Sequence, residues 1–211
     1  MIIQSLLLTA LLSGQANADS VAITPCDSST LASIREELLV MYETDQKFRS
    51  GSYDDSELLA EDSVTVRDPW EIQIEIDQNN IARLVEMIER CGWPGIGKVG
   101  KRASGGAFLI LQHAAYEFQK KLLPVFRLQA EQGEARKSDL ALLEDRVLMR
   151  EGKPQLYGSQ VVTNPETGEK ELYQVSDEIN VDARRAAMGL GPLADYLAWF
   201  DIKYKPPTTK K

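Results

Sequence analysis

The chain has 211 residues, 43% hydrophobic and 27% charged, which are the proportions of an ordinary soluble globular protein. Its formal net charge of −8 and the lack of a basic patch argue against nucleic acid as a partner. A single histidine excludes a zinc site built from several histidines, and two cysteines far apart do not form a CxxC pattern.

The opening stretch, MIIQSLLLTALLSGQANA, is uncharged and apolar from Ile2 to Leu12, broken only by Gln4. It ends in the A-x-A pattern of Ala16, Asn17 and Ala18, so residues 1–18 read as a signal peptide, although no Lys or Arg precedes the apolar run. The alternatives are an uncleaved anchor and a buried first helix. The run falls short of the about 20 residues that span a bilayer, so no stable membrane insertion is expected after cleavage. On this reading the protein is bacterial and periplasmic or secreted. The mature chain then holds one domain, residues 19–205, and a disordered basic tail, 206–211. In an oxidising compartment Cys26 and Cys91 can pair; two free thiols are the other possibility.

Helical spacing of Leu31, Ile34, Leu38, Met41 and Tyr42 predicts a first helix over 29–48, ended by Gly51 and Ser52. An acidic, irregular segment follows. Ile81, Leu84, Val85 and Ile88 predict a second helix over 77–90, stopped at CGWPG. The glycine-rich GWPGIGKVGKRASGG reads as a flexible loop, with a ligand lid as the alternative. A third helix, apolar nearly all round at residues 108–111, starts near 104 and should be central, kinked or ended at Pro124. Ser138 is the expected N-cap of a fourth helix running to about 150. The period then changes. QLYGSQVV and KELYQV flank the turn-rich TNPETGE and predict a hairpin near 155–175. Helices over 181–188 and from Pro192 complete the chain. The fold class is mainly α: a single helical domain with one inserted β-hairpin.

Candidate functional residues are polar groups on apolar stripes. Asp45 and Arg49 share the first helix's inner stripe four residues apart, with Gln46 beside them; they form either an ion pair or the border of a cavity. Gln112 and His113 lie on the central helix. His113 is either a structural group or a general acid, general base or hydrogen-bond donor. Asp145 and Arg146 sit among leucines and need partners. Arg184 and Arg185 could hold an anion or neutralise Asp145 or Asp45. If QLYGSQ is a strand, Gln155, Tyr157 and Ser159 face one way, Gln160 faces the other, and Gly158 leaves room for close approach to the backbone. Such a ledge fits a pocket wall or a set of caps for neighbouring helices. No phosphate-loop, nucleophile-elbow or dinucleotide motif is present, and neither a metal nor a cofactor is indicated.

The ordered pieces DQKFR, GWP, QHA, DR, QLYGSQ and VDARRAAMGL resemble the signature of an uncharacterised bacterial family of domains of unknown function, from about Ser33 to Leu193. The hairpin motif carries Ser159 where the family has Thr, and both supply a hydroxyl. The resemblance implies no activity. The leading functional reading is a polar pocket for a small polar or anionic ligand, with acid–base, hydrolase-like chemistry by His113 and Asp145. Its walls would be Asp45, Gln46, Arg49, Gln112, Arg146, Gln155, Tyr157 and Gln160, with Arg184 or Arg185 on the anion. The alternative is a non-catalytic periplasmic interaction or scaffold protein. Its polar residues would form a structural network, and its binding surface would lie elsewhere, for example on the acidic loop 54–62.

Overall fold

Asp27 starts the first helix by accepting from the Thr30 N–H at 2.7 Å. In the computed structural model, which describes residues 26–51, 53–59 and 65–207, that helix is α1 (Ser28–Lys47). It is followed by α2 (Pro69–Cys91), α3 (Ile96–His113), α4 (Tyr116–Glu131) and α5 (Lys137–Arg150). Next come the strands β1 (Val161–Thr163) and β2 (Lys170–Leu172), then α6 (Val181–Ala187) and α7 (Leu193–Ala198). Two 3₁₀ turns, Asp55–Leu58 and Glu178–Asn180, lie between elements. The architecture is mainly α with one β-hairpin, as the sequence predicts. The signal-peptide reading, residues 60–64 of the acidic loop and the last four residues of the tail lie outside the described residues.

Several boundaries differ from the expectation, each for a local reason. α2 begins eight residues early because Asp68 accepts from the Trp70 and Glu71 N–H groups and Pro69 occupies the first turn, its fixed φ already helical. Periodicity misses these turns because an inward position they hold is polar: Gln73 is fully buried. The glycine-rich segment is not a loose loop. It forms the first turn of α3, where Glu134 accepts from the Ile96 N–H with its carbonyl and from the Gly97 N–H with its carboxylate. The helix is interrupted at Gly100, whose φ of 81° no other residue adopts freely.

The central helix ends at His113, not at Pro124. Ala114 and Ala115 are extended, and the chain restarts as α4, which runs through Pro124. Gln119 closes this break: its Nε2 donates to the Gln112 carbonyl at 2.8 Å, a group that α3 itself leaves unpaired. Ser138 is not the N-cap of α5; it lies in the first turn, behind Arg136, which makes no side-chain cap.

The main core joins α1 to α5 around Leu38, Leu84, Ala107, Leu111, Phe126 and Leu143, all fully buried. Phe126 meets Trp93 edge-on at 4.9 Å and stacks on Phe108 at 5.5 Å. α1 and α3 pack tightly at Gly106, where a Cβ would sit 3.1 Å from that of Tyr42 and 3.2 Å from the Leu38 carbonyl oxygen. A second, small core gathers Val181, Leu193 and Leu197 with Val161, Leu172 and Tyr196. Among the described residues no helix is long and apolar enough to cross a membrane.

The hairpin is shorter than predicted. Its register pairs Val161 with Leu172 and Thr163 with Lys170, and QLYGSQ precedes it as irregular chain. Cys26 and Cys91 form a disulfide with a Cα–Cα distance of 5.4 Å, tying the start of α1 to the end of α2 across 65 residues. Loop-closure entropy for a ring of that size amounts to about 4 kcal/mol, and measured disulfides usually contribute about 2–4 kcal/mol. Urea denaturation with and without reductant is therefore expected to differ by that amount. Indistinguishable midpoints would mean that packing alone holds the two helix ends together.

Candidate functional site

The buried polar residues form two groups, one closed and one open. The closed group centres on Asp145 of α5, which has no exposed surface. Its carboxylate accepts from the Leu156 N–H at 2.7 Å, the Tyr157 N–H at 3.0 Å and the Ser159 N–H at 2.9 Å. Burial pushes this carboxyl above its ordinary range, while the bonds from Ser159, Leu156 and Tyr157 pull it back down. QLYGSQ thus wraps its backbone around one carboxylate instead of forming a strand. Its side chains complete the wrap. Gln155 is fully buried; its Nε2 donates to the Gln160 and Tyr173 carbonyls and its Oε1 accepts from the Gln160 N–H. The Gln160 amide donates to the Ser159 hydroxyl, and the Tyr157 hydroxyl donates to Glu144 at 3.0 Å. Burial and the neighbouring Glu144 charge push Tyr157 up to about 12.

The two arginines of α6 also belong to this group. Arg184 donates to the Leu156 and Ser176 carbonyls and pairs with Asp177 at 3.2 Å. Arg185 donates to the Gly191 carbonyl at 2.6 Å and to the Tyr157 carbonyl at 2.7 Å, and lies over the Tyr196 ring. Among the described residues neither makes an ion pair with Asp145 or Asp45. The space beside Gly158 is occupied from within. Gly158 has a φ of 70°, and a Cβ there would lie 2.8 Å from the Leu193 side chain of α7.

The open group lies where α1, α2, α3 and α5 come together. Leu38 and Gly106 touch at the helix crossing, and seven residues further along each helix Asp45 and His113 meet. His113 Nδ1 is 3.0 and 2.9 Å from the two carboxylate oxygens. The Asp45 side chain is 1% exposed and that of His113 is 20% exposed. Asp45 also accepts from the Gln46 amide at 2.6 Å and lies 3.5 Å from the Arg49 guanidinium. Arg49 forks onto the Asp77 carboxylate with both Nη atoms, and Gln73 donates to Asp77 at 2.9 Å. With its amide turned to satisfy hydrogen bonding, Gln112 accepts from Arg146 Nε at 2.8 Å and Nη2 at 3.2 Å. Gln46 also edges a surface depression of about 480 Å³ along α1.

Gln73 was not legible as a site residue because it lies in turns of α2 ahead of the predicted start; Asp77 is the first residue of the predicted helix and was not singled out. Their i, i+4 spacing was the available signal. Tyr196, whose hydroxyl donates to the Ser159 carbonyl at 2.7 Å, gave none. Among the described residues no three His, Cys, Asp or Glu side chains gather as a metal-binding group.

A model described as "Family of unknown function (DUF6624)" matches residues 32–205, and the chain belongs to that family. No curated protein and no solved structure matches the chain.

The closed group makes two stability predictions. Asp145→Ala leaves three backbone donors without their acceptor, each costing about 1–3 kcal/mol if it stays buried, so a loss of at least about 3 kcal/mol is expected in chemical denaturation. Gly158→Ala combines a positive φ with overlap on Leu193 and is expected to cost more than about 1 kcal/mol. Near-wild-type midpoints for both would mean that this loop does not hold the small core in place.

Proposed function

We propose that this is an exported bacterial protein that binds a small polar ligand at the open group and performs acid–base chemistry there with His113. The observation that carries the reading is the His113–Asp45 pair. A buried carboxylate that accepts from Nδ1–H fixes the ring's orientation and tautomer. The lone pair then sits on Nε2, which has no hydrogen-bond partner among the described residues while the ring is partly exposed. An imidazole held in this way takes a proton from a reacting group and returns it, typically worth about 10²–10⁴ in rate.

In this reading Asp45, not Asp145, is the working carboxylate. Asp145 is closed off by three amides and organises the loop that follows it. Gln46 and Arg49 position Asp45, and Asp77 balances the Arg49 charge. Gln112 orients Arg146 by accepting from its Nε and Nη2. The disulfide supports an oxidising compartment, periplasmic or secreted, for the mature chain.

The chain contains one histidine, so its ring signals are unambiguous. Long-range ¹H–¹⁵N spectra of the neutral ring are expected to show the Nδ1–H tautomer, with the Nε2–H form gaining population in Asp45→Asn. Acylation of the imidazole by diethyl pyrocarbonate is expected to proceed at Nε2. A neutral ring in the Nε2–H form, or one inert to the reagent in the folded protein, would remove the acid–base reading and leave a structural network in its place.

A further inference from the structure

Arg146 differs in its partners from Arg127, Arg136, Arg184 and Arg185. Arg127 pairs with Glu144, Arg136 with Asp139 and Arg184 with Asp177. Arg185 has two carbonyls and an aromatic face. Arg146 is half-buried, yet among the described residues no carboxylate lies within ion-pairing distance of it; its one partner is the neutral Gln112 amide. Burial lowers its proton affinity, the like charges of Arg150 and Arg49 lower it further, and only the Tyr196 hydroxyl works against them. A guanidinium does not relieve such a position by losing its proton. A partly desolvated charge without a counter-charge is costly, and an oxyanion at its open edge would offset that cost.

The geometry also says where that anion goes. The guanidinium has a side edge, formed by Nε and Nη2, and an end edge, formed by Nη1 and Nη2. The Gln112 oxygen occupies the side edge, at 2.8 and 3.2 Å, and fixes the plane of the group. The end edge has no partner among the described residues. Two parallel N–H groups at that edge match two oxygens of one carboxylate or phosphoryl group. Gln112, which holds the side edge, directly precedes His113 on α3, and the charge of Arg49, which pairs with Asp45, acts on Arg146.

We infer that Arg146 is the residue that anchors an anionic ligand at this site, holding a carboxylate or phosphoryl oxygen pair on the end edge of its guanidinium while Gln112 keeps the plane fixed. The inference rests on the reading of this face as a ligand site but not on the chemistry assigned to His113. It also moves the anion from Arg184 and Arg185, whose donors are engaged by backbone carbonyls, to α5.

The test uses the full mature chain, with acetate and inorganic phosphate as probes and chloride at matched ionic strength as the reference. Side-chain NMR signals of Arg146 Nε–H and the Gln112 amide are expected to shift saturably with at least one oxyanion and not with chloride. Tighter phosphate binding would assign a phosphoryl ligand; tighter acetate binding would assign a carboxylate. Arg146→Gln is expected to abolish the saturable shift. Arg146→Lys, which keeps the charge but loses the fork, is expected to weaken binding about tenfold and serves if the first variant does not fold. Shifts identical to those in chloride, or saturable binding that survives in Arg146→Lys at full strength, would overturn the inference. Reactivity of His113 is read in the same samples. A reactive imidazole without anion binding removes only the anchor, and anion binding beside an inert imidazole removes only the acid–base reading.

Discussion

A carboxylate with no exposed surface holds the C-terminal third of this protein to its helical core. Irregular backbone close to a core presents N–H groups that must find acceptors, because an unpaired buried donor costs about as much as a lost hydrogen bond. Asp145 supplies acceptors for three of them at once, from Leu156, Tyr157 and Ser159. The chain can therefore leave α5, turn through Gly158 and still lie flat against the helix it has left. Arg185 and Tyr196 then fasten the other side of the same loop by meeting its carbonyls at Tyr157 and Ser159. The small core of Val181, Leu193 and Leu197 has few apolar groups of its own, and this polar joint is what sets it in place.

The open group depends on a different constraint, the distance between two helices. Gly106 lets α1 and α3 approach to backbone contact, and the repeat of both helices carries that contact along to Asp45 and His113. A carboxylate and an imidazole brought together this way cannot drift apart without opening the core beside Leu38 and Ala107. The surrounding charges are arranged in sequence. Asp77 neutralises Arg49, Arg49 neutralises Asp45 in part, and His113 completes the set, which leaves Arg146 as the member with no acidic partner among the described residues.

Much of the fold was legible because apolar stripes repeat at helical spacing over α1, the second half of α2, α3 and α5. What was not legible has identifiable causes. The first turns of α2 face inward with Gln73, so no stripe marks them. The break after His113 carries neither glycine nor proline, and Gln119 makes it possible from five residues downstream of Ala114. QLYGSQ alternates like a strand, yet its backbone answers to a carboxylate on another element, a long-range demand that no local pattern encodes. The polar residues themselves stood out in the sequence as polar groups on apolar stripes. Sequence could not divide them into the set that wraps a loop around Asp145 and the set around His113 and Arg146, because that division depends on which donors and acceptors meet in space.

The bond between Cys26 and Cys91 has a topological consequence for the site. It closes a covalent ring that contains all of α1 and α2, and with them Asp45, Arg49, Gln73 and Asp77. His113, Gln112 and Arg146 lie outside the ring, on chain that emerges after Cys91. The site is therefore a seam between a cross-linked segment and an open one. Its acidic half is held in a loop whose ends are already joined, and the imidazole and the unpaired guanidinium dock onto it from the remainder of the chain. In the assembly of the molecule, oxidation of two thiols at the other end of α1 from Asp45 narrows the set of arrangements from which the carboxylates must be brought to the histidine.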